Sequence, residues 1–510
     1  MELTIPAALT WAARKFGDAE ALADPGPGGS RLSYRELGGR VTAVAAALID
    51  RDVVRGDRVA VWAPNSCQWV LAALGTLSAG AVLVPVSTRF TGPEALDVME
   101  RSGAQALFVT EDFLGVDRLG ALRAAAVPGG LEGLGLVVRM PGEWEAFEGR
   151  GGSVLPGVVS GPAGAVRPGD VSDIMFTSGT TGRSKGAMTS HERTLGVARA
   201  WAECTGLTAR DRYLVVNPFF HTFGYKAGIL ACLVSGAALV PQAVFDAGQT
   251  MRLIEAEQIT VLPGAPTIYA SILDHPARGS FDLSSLRLAV TGAADVPVAL
   301  VERMRDELNF ETVLTGYGLT EAVVATMCRP GDPPEVVSAT SGRPAAGFEV
   351  RIGPGEEILL RGPNLMLGYL DDPVATAAAI DADGWLHTGD AGRLDAAGNL
   401  TITGRIKDMY ICGGFNVYPA EVEQVLARLD GVTESAVIGV PDPRLGEVGQ
   451  AFLVTRPGHV LAEADVLAFC RERLANYKVP RRVVFRAALP RNPSGKVLKR
   501  QLREELREEA

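Results

Sequence analysis

The feature that most constrains the fold of this chain is an alternation of short apolar runs and helical patterns between residues 171 and about 400. Buried-strand candidates lie at residues 213–216, 259–262 and 286–290. This strand–helix order predicts an α/β fold with layered, mostly parallel sheets and helices on both faces. Ligands of such sheets bind at the carboxyl ends of the strands. Functional side chains are therefore expected in the polar loops that follow the strands, at residues 217–224, 264–267 and 291–296.

The length of 510 residues exceeds one ordinary core and predicts more than one domain. Short alternating segments after residue 343 indicate a small antiparallel β unit. A Gly-Arg-Ile-Lys-Asp run at 404–408 marks a boundary. We predict a large N-terminal domain over 1–404, a hinge at 405–408 and a small α+β C-terminal domain over 409–510.

Composition excludes several classes of protein. The net charge of −10 argues against nucleic acid as a partner. The six cysteines show no CxxC pair, which suits reduced thiols in a cytoplasmic setting, and no secretory signal is evident. Glycine and proline interrupt the apolar stretch at 69–86, which predicts a buried helix and a strand rather than a membrane span. The glycine-rich segment 129–169 is predicted to be a surface excursion.

A Thr-Ser-Gly-Thr-Thr-Gly-Arg-Ser-Lys-Gly segment at 177–186 follows an apolar strand end. Its glycines allow close approach of backbone amides to an anion, while hydroxyl groups, Arg183 and Lys185 supply hydrogen bonds and charge. The segment therefore predicts a phosphate-binding loop. It differs from the nucleotide-triphosphatase P-loop because Gly186 follows the lysine. On composition alone, a flexible surface linker remains an alternative.

Further motifs occur in order along the chain. They are Asn-Pro-Phe-Phe-His at 217–221, Gly-Tyr-Gly-Leu-Thr-Glu at 316–321, Gly-Trp-Leu-His-Thr-Gly-Asp at 384–390, the segment 404–419, and Arg-Asn-Pro-Ser-Gly-Lys at 491–496. Together with the 177–186 loop, these motifs resemble those of adenylate-forming acyl-CoA synthetases, in which the counterpart of 404–419 is the hinge and thiol-channel motif. That superfamily also contains peptide-synthetase adenylation domains and firefly-type luciferases. The resemblance spans almost the whole chain.

The resemblance implies a two-step reaction that uses ATP, Mg²⁺ and coenzyme A. A carboxylate attacks the α-phosphorus of ATP and expels pyrophosphate, and a thiol then attacks the acyl-adenylate and releases AMP. The small C-terminal domain is expected to rotate about Lys407 between the two steps. The implied partners are a small carboxylic acid, ATP and CoA, with no nucleic acid or membrane span. The sequence leaves the oligomeric state open, with a homodimer as one option.

The resemblance also assigns roles to single residues. The catalytic set is Lys496, which bridges the carboxylate and the α-phosphate, Glu321, the Mg²⁺ ligand, Thr320, which bonds the α-phosphate, and His221, beside the acyl carboxylate. From the residues alone, His221 fits a packed aromatic cluster equally well. Nucleotide and CoA contacts are expected at Thr177, Ser178, Gly179, Thr180, Thr181, Gly182, Lys185, Ala293, Ala294, Tyr317, Asp390, Arg405, Gly413, Gly414 and Phe415.

The stretches 217–228, 274–278 and 409–414 closely resemble an actinobacterial branch that attaches CoA to the bicyclic propanoate left by steroid-ring degradation. A bulky alicyclic, steroid- or terpenoid-derived acid is therefore expected, ahead of a medium- or long-chain fatty acid. The acyl pocket is predicted at Phe219, Phe223, Tyr225, Lys226, Thr267, Val323 and Val324.

The segment 323–327 departs from that branch, where an Asn/Gly-rich stretch is usual. Its β-branched residues favour either a pocket reshaped for another polycycle or impaired adenylation with thioester formation retained. Other classes are less compatible. A peptide-synthetase adenylation domain is not expected, because such a domain precedes a carrier domain and the sequence ends soon after Lys496. A stand-alone amino-acid adenylator would be expected to place an aspartate near Phe219 and Phe220, where none is seen. A luciferase would need light emission to support it, and Lys496, Glu321 and Asp390 argue against a non-catalytic adenylate-binding protein.

Overall fold

The structure is a computed structural model. It describes residues 3–26, 29–126, 131, 133–153, 157–177, 184–292, 296, 298–413, 415–456, 458–491 and 497–508.

The strands of the described residues are numbered in chain order. They are β1 (Glu20–Ala23), β2 (Arg31–Ser33), β3 (Arg58–Trp62), β4 (Val82–Pro85), β5 (Ala104–Thr110), β6 (Asp112–Phe113), β7 (Val116–Asp117), β8 (Leu136–Met140), β9 (Val171–Thr177), β10 (Lys185–Ser190), β11 (Arg212–Val215), β12 (Ala238–Pro241), β13 (Val261–Pro263), β14 (Leu288–Gly292), β15 (Thr312–Tyr317), β16 (Thr326–Met327), β17 (Arg343–Pro344), β18 (Glu349–Ile352), β19 (Glu357–Arg361), β20 (Gly368–Tyr369), β21 (Leu386–Leu394), β22 (Leu400–Arg405), β23 (Tyr410–Cys412), β24 (Phe415–Val417), β25 (Val432–Asp442), β26 (Gly446–Thr455) and β27 (Arg482–Phe485).

The α-helices are numbered in the same way. They are α1 (Ile5–Phe16), α2 (Tyr34–Ile49), α3 (Cys67–Ser78), α4 (Gly92–Ser102), α5 (Arg118–Ala125), α6 (Trp144–Gly152), α7 (Gly157–Ala165), α8 (His191–Thr205), α9 (Thr222–Gly224), α10 (Ala231–Ser235), α11 (Ala247–Glu257), α12 (Pro266–Leu273), α13 (Val298–Leu308), α14 (Pro334–Ala339), α15 (Pro373–Ala379), α16 (Pro419–Leu426), α17 (Glu463–Arg471) and α18 (Lys499–Glu508). A π-helix spans Tyr225–Leu230, and 3₁₀ turns lie at Arg278–Ser280, Pro354–Glu356 and Ile406–Asp408.

Two mostly parallel sheets form the large N-terminal part. The first has the order β17-β16-β15-β14-β13-β11-β12-β1-β2, and its strands from β15 to β1 run parallel. The second has the order β20-β10-β9-β4-β3-β5-β8, and its strands from β9 to β8 run parallel. The layered α/β fold expected from the sequence is therefore confirmed.

Helix α3 lies in the core that contains side chains of both sheets. Every residue of α3 except Gln68 is buried, and the core includes Val61 from the second sheet and Leu214 from the first. Ser66 caps the helix by accepting a hydrogen bond from the Trp69 amide. The interpretation of segment 69–86 as a buried helix and strand is confirmed. Among the described residues, no helix is both long and apolar enough to cross a bilayer.

Smaller sheets follow the two large ones. Strands β18, β19, β21 and β22 form the antiparallel unit predicted after residue 343. The C-terminal part has its own sheet, in the order β24-β23-β26-β25 with β27 beside β26. Its separate core includes Val422, Leu453 and Val466, so a small C-terminal domain follows the large one.

The predicted surface excursion at 129–169 is wrong as a description of its middle part. Strand β8 pairs in parallel with β5, and helices α6 and α7 follow. Trp144 and Phe147 are buried, and their ring centroids lie 5.9 and 5.4 Å from that of Phe108. Glycine-rich flanks concealed these elements because burial of two aromatic rings outweighs the weak helix propensity of glycine.

Candidate active site

The predicted nucleotide motifs lie where parallel strands end. Strand β9 ends at Thr177, β14 at Gly292 and β15 at Tyr317. Gly292 has a φ of 158°, and a Cβ there would lie 2.6 Å from the carbonyl oxygen of Gly316, so the two strand ends approach closely only because glycine stands at 292. The carboxyl edges of the sheets therefore form the expected binding region.

Asp390 joins the motif around Tyr317 to the hinge. The Tyr317 phenol donates a 2.6 Å hydrogen bond to Oδ2 of Asp390, and Nε of Arg405 lies 3.0 Å from Oδ1. Asp390 and Arg405 are cross-strand partners in the β21–β22 register, so sheet pairing brings their side chains together. Burial raises the pKa of Tyr317, which keeps the phenol protonated as a donor.

Glu321 is connected to the end of the phosphate loop through Tyr369. The Tyr369 phenol donates a 2.7 Å hydrogen bond to Oε1 of Glu321. The ammonium group of Lys185 lies 4.9 Å from the centre of the Tyr369 ring. Lys185 also opposes Thr177 across the β9–β10 hairpin. The sequence analysis missed Tyr369, although it stands in a Gly-Tyr pair that pairs with β10.

Asn65 holds the loop at residues 217–221, which is predicted to contact the acid and is called the acid-binding loop below. Asn65 is a second residue that the sequence analysis missed. Its side-chain oxygen accepts a 2.7 Å hydrogen bond from the Phe219 amide, and its NH₂ group donates to the carbonyl oxygens of Val215 and Asn217. Asn65 is buried, so these bonds meet little competition from water. A polar residue just after strand β3 was the available signal.

His221 is the N-cap residue of helix α9. The residue is exposed at the surface, while many protein atoms lie close to its ring. The resulting desolvation lowers the pKa of its imidazole. The Phe223 amide donates a 3.2 Å hydrogen bond to Nδ1, which assigns the proton of the neutral ring to Nε2. His221 therefore offers an Nε2–H donor at neutral pH.

The predicted acyl-pocket residues fall into buried and accessible groups. Phe219 and Tyr225 are fully buried, and their ring centroids lie 5.2 and 6.1 Å from that of Trp69. Phe223 packs against Trp201, and Thr267 is exposed in the first turn of α12. Lys226 is enclosed completely.

The ammonium group of Lys226 lies 2.9 Å from Oδ1 of Asp173, and neither side chain is exposed at all. The structure thus commits Lys226 to an ion pair rather than to an open pocket wall. Asp173 is a third residue that the sequence analysis missed, because a carboxylate inside an apolar strand gives no motif.

The segment that departs from the related branch contains backbone strain. Val323 has a φ of 58°, in the left-handed region that β-branched residues rarely adopt. A Cβ added to Gly318 would lie 1.7 Å from the Val323 carbonyl oxygen. The strained turn therefore packs directly on residues 316–321, which are called the adenylate motif below. Val324 is buried beside it, and Thr320 is half-buried in the same turn.

Three of the residues predicted for the hinge and the thiol channel lie on the surface. Lys407 is exposed in the 3₁₀ turn Ile406–Asp408, and Gly413 has a φ of 58°. Phe415 is 57% exposed, and its ring stacks on Tyr477 with centroids 4.7 Å apart. The other predicted contacts lie outside the described residues: Ser178, Gly179, Thr180, Thr181, Gly182, Ala293, Ala294, Gly414 and Lys496.

Glu321 can be tested for compatibility with Mg²⁺. Its Oε1 accepts the Tyr369 hydrogen bond, and a carboxylate has further lone pairs to offer a cation. Within the described ranges, no group of three or more His, Cys, Asp or Glu side chains could hold a metal ion. This donor set fits Mg²⁺ that is carried mainly by nucleotide phosphates and water, and it does not fit an all-protein cage.

Comparison with known proteins gives the same class as the fold and the site. The profile described as "AMP-binding enzyme" matches residues 9–370, and "AMP-binding enzyme C-terminal domain" matches residues 421–496. The chain is 59% identical to the 3-[(3aS,4S,7aS)-7a-methyl-1,5-dioxo-octahydro-1H-inden-4-yl]propanoyl:CoA ligase of Rhodococcus jostii RHA1, over 98% of each chain. It is 58% identical to the ligase of that name from Mycobacterium tuberculosis H37Rv, again over 98% of each chain.

Among solved structures, the chain is similar to a fatty acyl CoA synthetase of Mycobacterium tuberculosis. The TM-score is 0.77 at 31% identity, with 99% of this chain and 98% of that chain covered. The fold and the site define an adenylate-forming enzyme. The chain belongs to the AMP-binding enzyme family, and it is an ATP-dependent, AMP-forming acid–thiol ligase.

Proposed function

We propose that this ligase activates a bulky alicyclic carboxylic acid of the bicyclic propanoate type and transfers its acyl group to CoA. The carrying observation is the 59% identity, over 98% of both chains, to a ligase whose printed substrate is such a propanoate. The buried aromatic side chains of Trp69, Phe219 and Tyr225 pack together and support a pocket of fixed shape beside the acid-binding loop.

In the first half-reaction, a carboxylate oxygen bonds to the α-phosphorus of ATP while the bond to pyrophosphate breaks. Two anions must meet, so positioning and charge stabilisation dominate catalysis. The Nε2–H of His221 donates to the acid carboxylate, and Thr320 bonds the α-phosphate. Lys185, with the loop that begins at Thr177, holds the β- and γ-phosphates. Lys496 is assigned to the bridge between the two reactants by its motif alone.

Asp390 accepts the ribose hydroxyl groups with the lone pairs that Tyr317 and Arg405 leave free. Among the described residues, one carboxylate oxygen accepts from Tyr317 and the other contacts Arg405, so each retains acceptor capacity for a hydroxyl group. Arg405 also fixes Asp390 from the hinge side. Ala293 and Ala294 are proposed to face the adenine ring.

Glu321 is the proposed protein ligand of Mg²⁺, which when bound supplies charge neutralisation at the phosphates. The Tyr369 phenol donates to Oε1 of Glu321 and leaves Oε2 for the cation. The geometry thus orients the carboxylate before nucleotide binds.

In the second half-reaction, the CoA sulfur bonds to the acyl carbon and AMP leaves. We propose that residues 405–408 form the hinge between domains 1–404 and 409–510. The exposure of Lys407 and its 3₁₀ turn support a local change of backbone angles. Gly413, Gly414 and Phe415 would then line the pantetheine channel.

Two alternatives have their own support. The 31% identity to a fatty acyl CoA synthetase favours a medium- or long-chain fatty acid. The strained Val323 favours an enzyme with impaired adenylation that accepts a preformed acyl-adenylate.

A cytoplasmic setting is supported by six cysteines, all buried as free thiols. That the protein forms a homodimer remains a prediction, which size-exclusion chromatography tests.

The test is a panel of acids with ATP, Mg²⁺ and CoA, read by AMP release and by the mass of the thioester. It contains a bicyclic propanoate, a monocyclic propanoate and fatty acids of medium and long chain. We expect the highest kcat/KM with the bicyclic acid. Preference for a fatty acid would contradict the proposal, and turnover of supplied acyl-adenylate without ATP–pyrophosphate exchange would support impaired adenylation.

A further inference from the structure

The Asp173–Lys226 ion pair connects the phosphate side of the site to its acid side. Asp173 lies in β9, four residues before Thr177. Lys226 lies in the π-helix Tyr225–Leu230, five residues after His221. The contact of 2.9 Å therefore joins the strand that leads to the phosphate loop to the turn that follows the acid-binding loop.

The pair is built into a polar environment that is closed to water. The Ser172 and Thr194 hydroxyl groups donate to Oδ2 of Asp173, at 2.7 and 3.0 Å. This leaves Oδ1 for the Lys226 ammonium group. The Tyr225 phenol is buried without a hydrogen-bond partner in the described part of the chain, and the Asp173 charge adds to burial in raising its pKa.

Stability alone does not explain such a pair. Two charges lose their hydration on burial, and apolar residues of similar volume often stabilise a core equally well or better. A fully enclosed pair therefore indicates that the relative position of its two residues matters. The π-helix supports this reading, because its wide turns occur frequently at functional sites.

The two partners of the ion pair lie in elements that differ in how their backbones are held. The backbone of β9 is set by its neighbours, since Asp173 opposes Leu83 in β4 and Thr189 in β10. The π-helix has no sheet partners, and its Tyr225 side chain packs on Trp69 in α3. Strand β9 is thus the fixed reference, and the π-helix is the element that the ion pair holds.

We propose that Asp173 and Lys226 are positioning residues that fix the acid-binding loop relative to the phosphate-binding loop for the first half-reaction. The proposal rests on the proposed function. The pair touches no substrate and acts through the π-helix on His221 and its loop. Pyrophosphate departs in the first half-reaction only, so the second half-reaction needs no alignment with the phosphate loop.

The experiment compares the double variant Asp173→Leu/Lys226→Met with the single variant Lys226→Met and the wild-type enzyme. The double variant removes both charges and leaves the Ser172 hydroxyl group bonded to Thr189 and near Thr194. The matched control is the double variant Arg40→Met/Glu148→Gln, which removes a 2.6 Å ion pair between α2 and α6 and leaves the Asp173–Lys226 pair intact. Each protein is measured by thermal unfolding, ATP–pyrophosphate exchange and thioester formation from supplied acyl-adenylate.

We expect Lys226→Met to unfold several degrees lower, since it leaves an unpaired buried charge. The double variant should recover the unfolding temperature to within about 3 °C, yet lose about tenfold or more in kcat for exchange. Thioester formation from acyl-adenylate should stay within about threefold of wild type. Arg40→Met/Glu148→Gln should resemble wild type in exchange and in thioester formation.

Wild-type exchange in a folded double variant would overturn the positioning role, and so would equal losses in both half-reactions. Where the double variant does not fold, Lys226→Arg keeps the charge on a larger side chain and should lower exchange more than it lowers thioester formation from supplied acyl-adenylate. Unchanged exchange in Lys226→Arg would then overturn the role. Absence of wild-type exchange with every acid would contradict the proposed function itself, and the positioning role would fall with it.

Discussion

Tyr369 donates a 2.7 Å hydrogen bond to Glu321, 48 residues earlier in the chain, while its ring lies 4.9 Å from the Lys185 ammonium group. One tyrosine therefore contacts the proposed metal ligand and the last charged residue of the phosphate loop. Strand β20 places it there by pairing with β10, where Tyr369 opposes Ala187. The adenylate motif and the phosphate loop are thus connected by a residue outside both.

Replacement of Tyr369 by phenylalanine tests this connection. Tyr369→Phe keeps the ring beside Lys185 and deletes the donor to Glu321. A hydrogen bond to a charged group is worth about 1.5–3 kcal/mol, so kcat/KM for ATP–pyrophosphate exchange should fall about tenfold to a hundredfold. The matched control is Tyr477→Phe in the C-terminal domain, which should leave exchange unchanged. Equal exchange in Tyr369→Phe and wild type would remove Tyr369 from the site.

Asp390→Asn tests the proposed ribose contact. The amide keeps the shape of the side chain, but it loses the charge opposite Arg405 and part of the acceptor capacity. The KM for ATP should rise about tenfold or more, measured by exchange at saturating acid. Asp395→Asn, in the turn between β21 and β22, serves as control and should bind ATP normally. A normal KM in Asp390→Asn would place the ribose elsewhere.

Val323→Asn tests the strained turn. Asparagine adopts a φ near 58° more readily than valine, so the variant should raise the free energy of unfolding by roughly 1 kcal/mol. Val324→Asn is the neighbouring control, and it should destabilise because that side chain is buried. Urea denaturation measures both. Destabilisation by Val323→Asn would show that the valine side chain contributes more by packing than its backbone strain costs.

The stability of the protein should depend on His191 at acidic pH. Burial lowers the pKa of His191 from 6.5 to about 4. The unfolded chain binds this proton below pH 6.5, and the folded protein binds it only near pH 4. The contribution of His191 to stability is therefore complete above pH 6.5 and is lost as the pH falls through that window.

His191→Asn removes this titration and retains an acceptor for the Ile5 amide, which donates to Nδ1 of His191. Between pH 6.5 and 4.5, the wild type should lose about 2 kcal/mol more unfolding free energy than the variant. Urea denaturation at a series of pH values gives the difference. Parallel pH profiles for the two proteins would contradict the assignment.

Local signals in the sequence were sufficient where one residue type has one physical use. The Ser-x-x-Glu spacing of Ser33 and Glu36 is typical of a capping box, and the structure shows both of its hydrogen bonds at the start of α2. The apolar runs predicted the parallel strands, and the glycine before β4 predicted a turn instead of a membrane span. The family motifs predicted the candidate site residues, and three of the described ones, Tyr317, Asp390 and Arg405, lie in contact with one another.

Sequence reasoning missed the residues that act through long-range contacts. Asn65, Asp173 and Tyr369 each contact a site element far away in the chain, and none belongs to a motif. The π-helix at Tyr225–Leu230 also escaped notice, because its apolar pattern matches that of an α-helix. Only the tertiary arrangement distinguishes a carboxylate that is paired in the core from one at the surface.

The most direct test of the whole account is the specificity constant for CoA thioester formation across matched acids. The account predicts that the purified enzyme releases AMP and forms the thioester with a bicyclic propanoate, with kcat/KM at least about tenfold above that for any fatty acid, a margin of about 1.4 kcal/mol in transition-state binding. A higher kcat/KM for a fatty acid, or release of AMP without formation of a thioester, would contradict it.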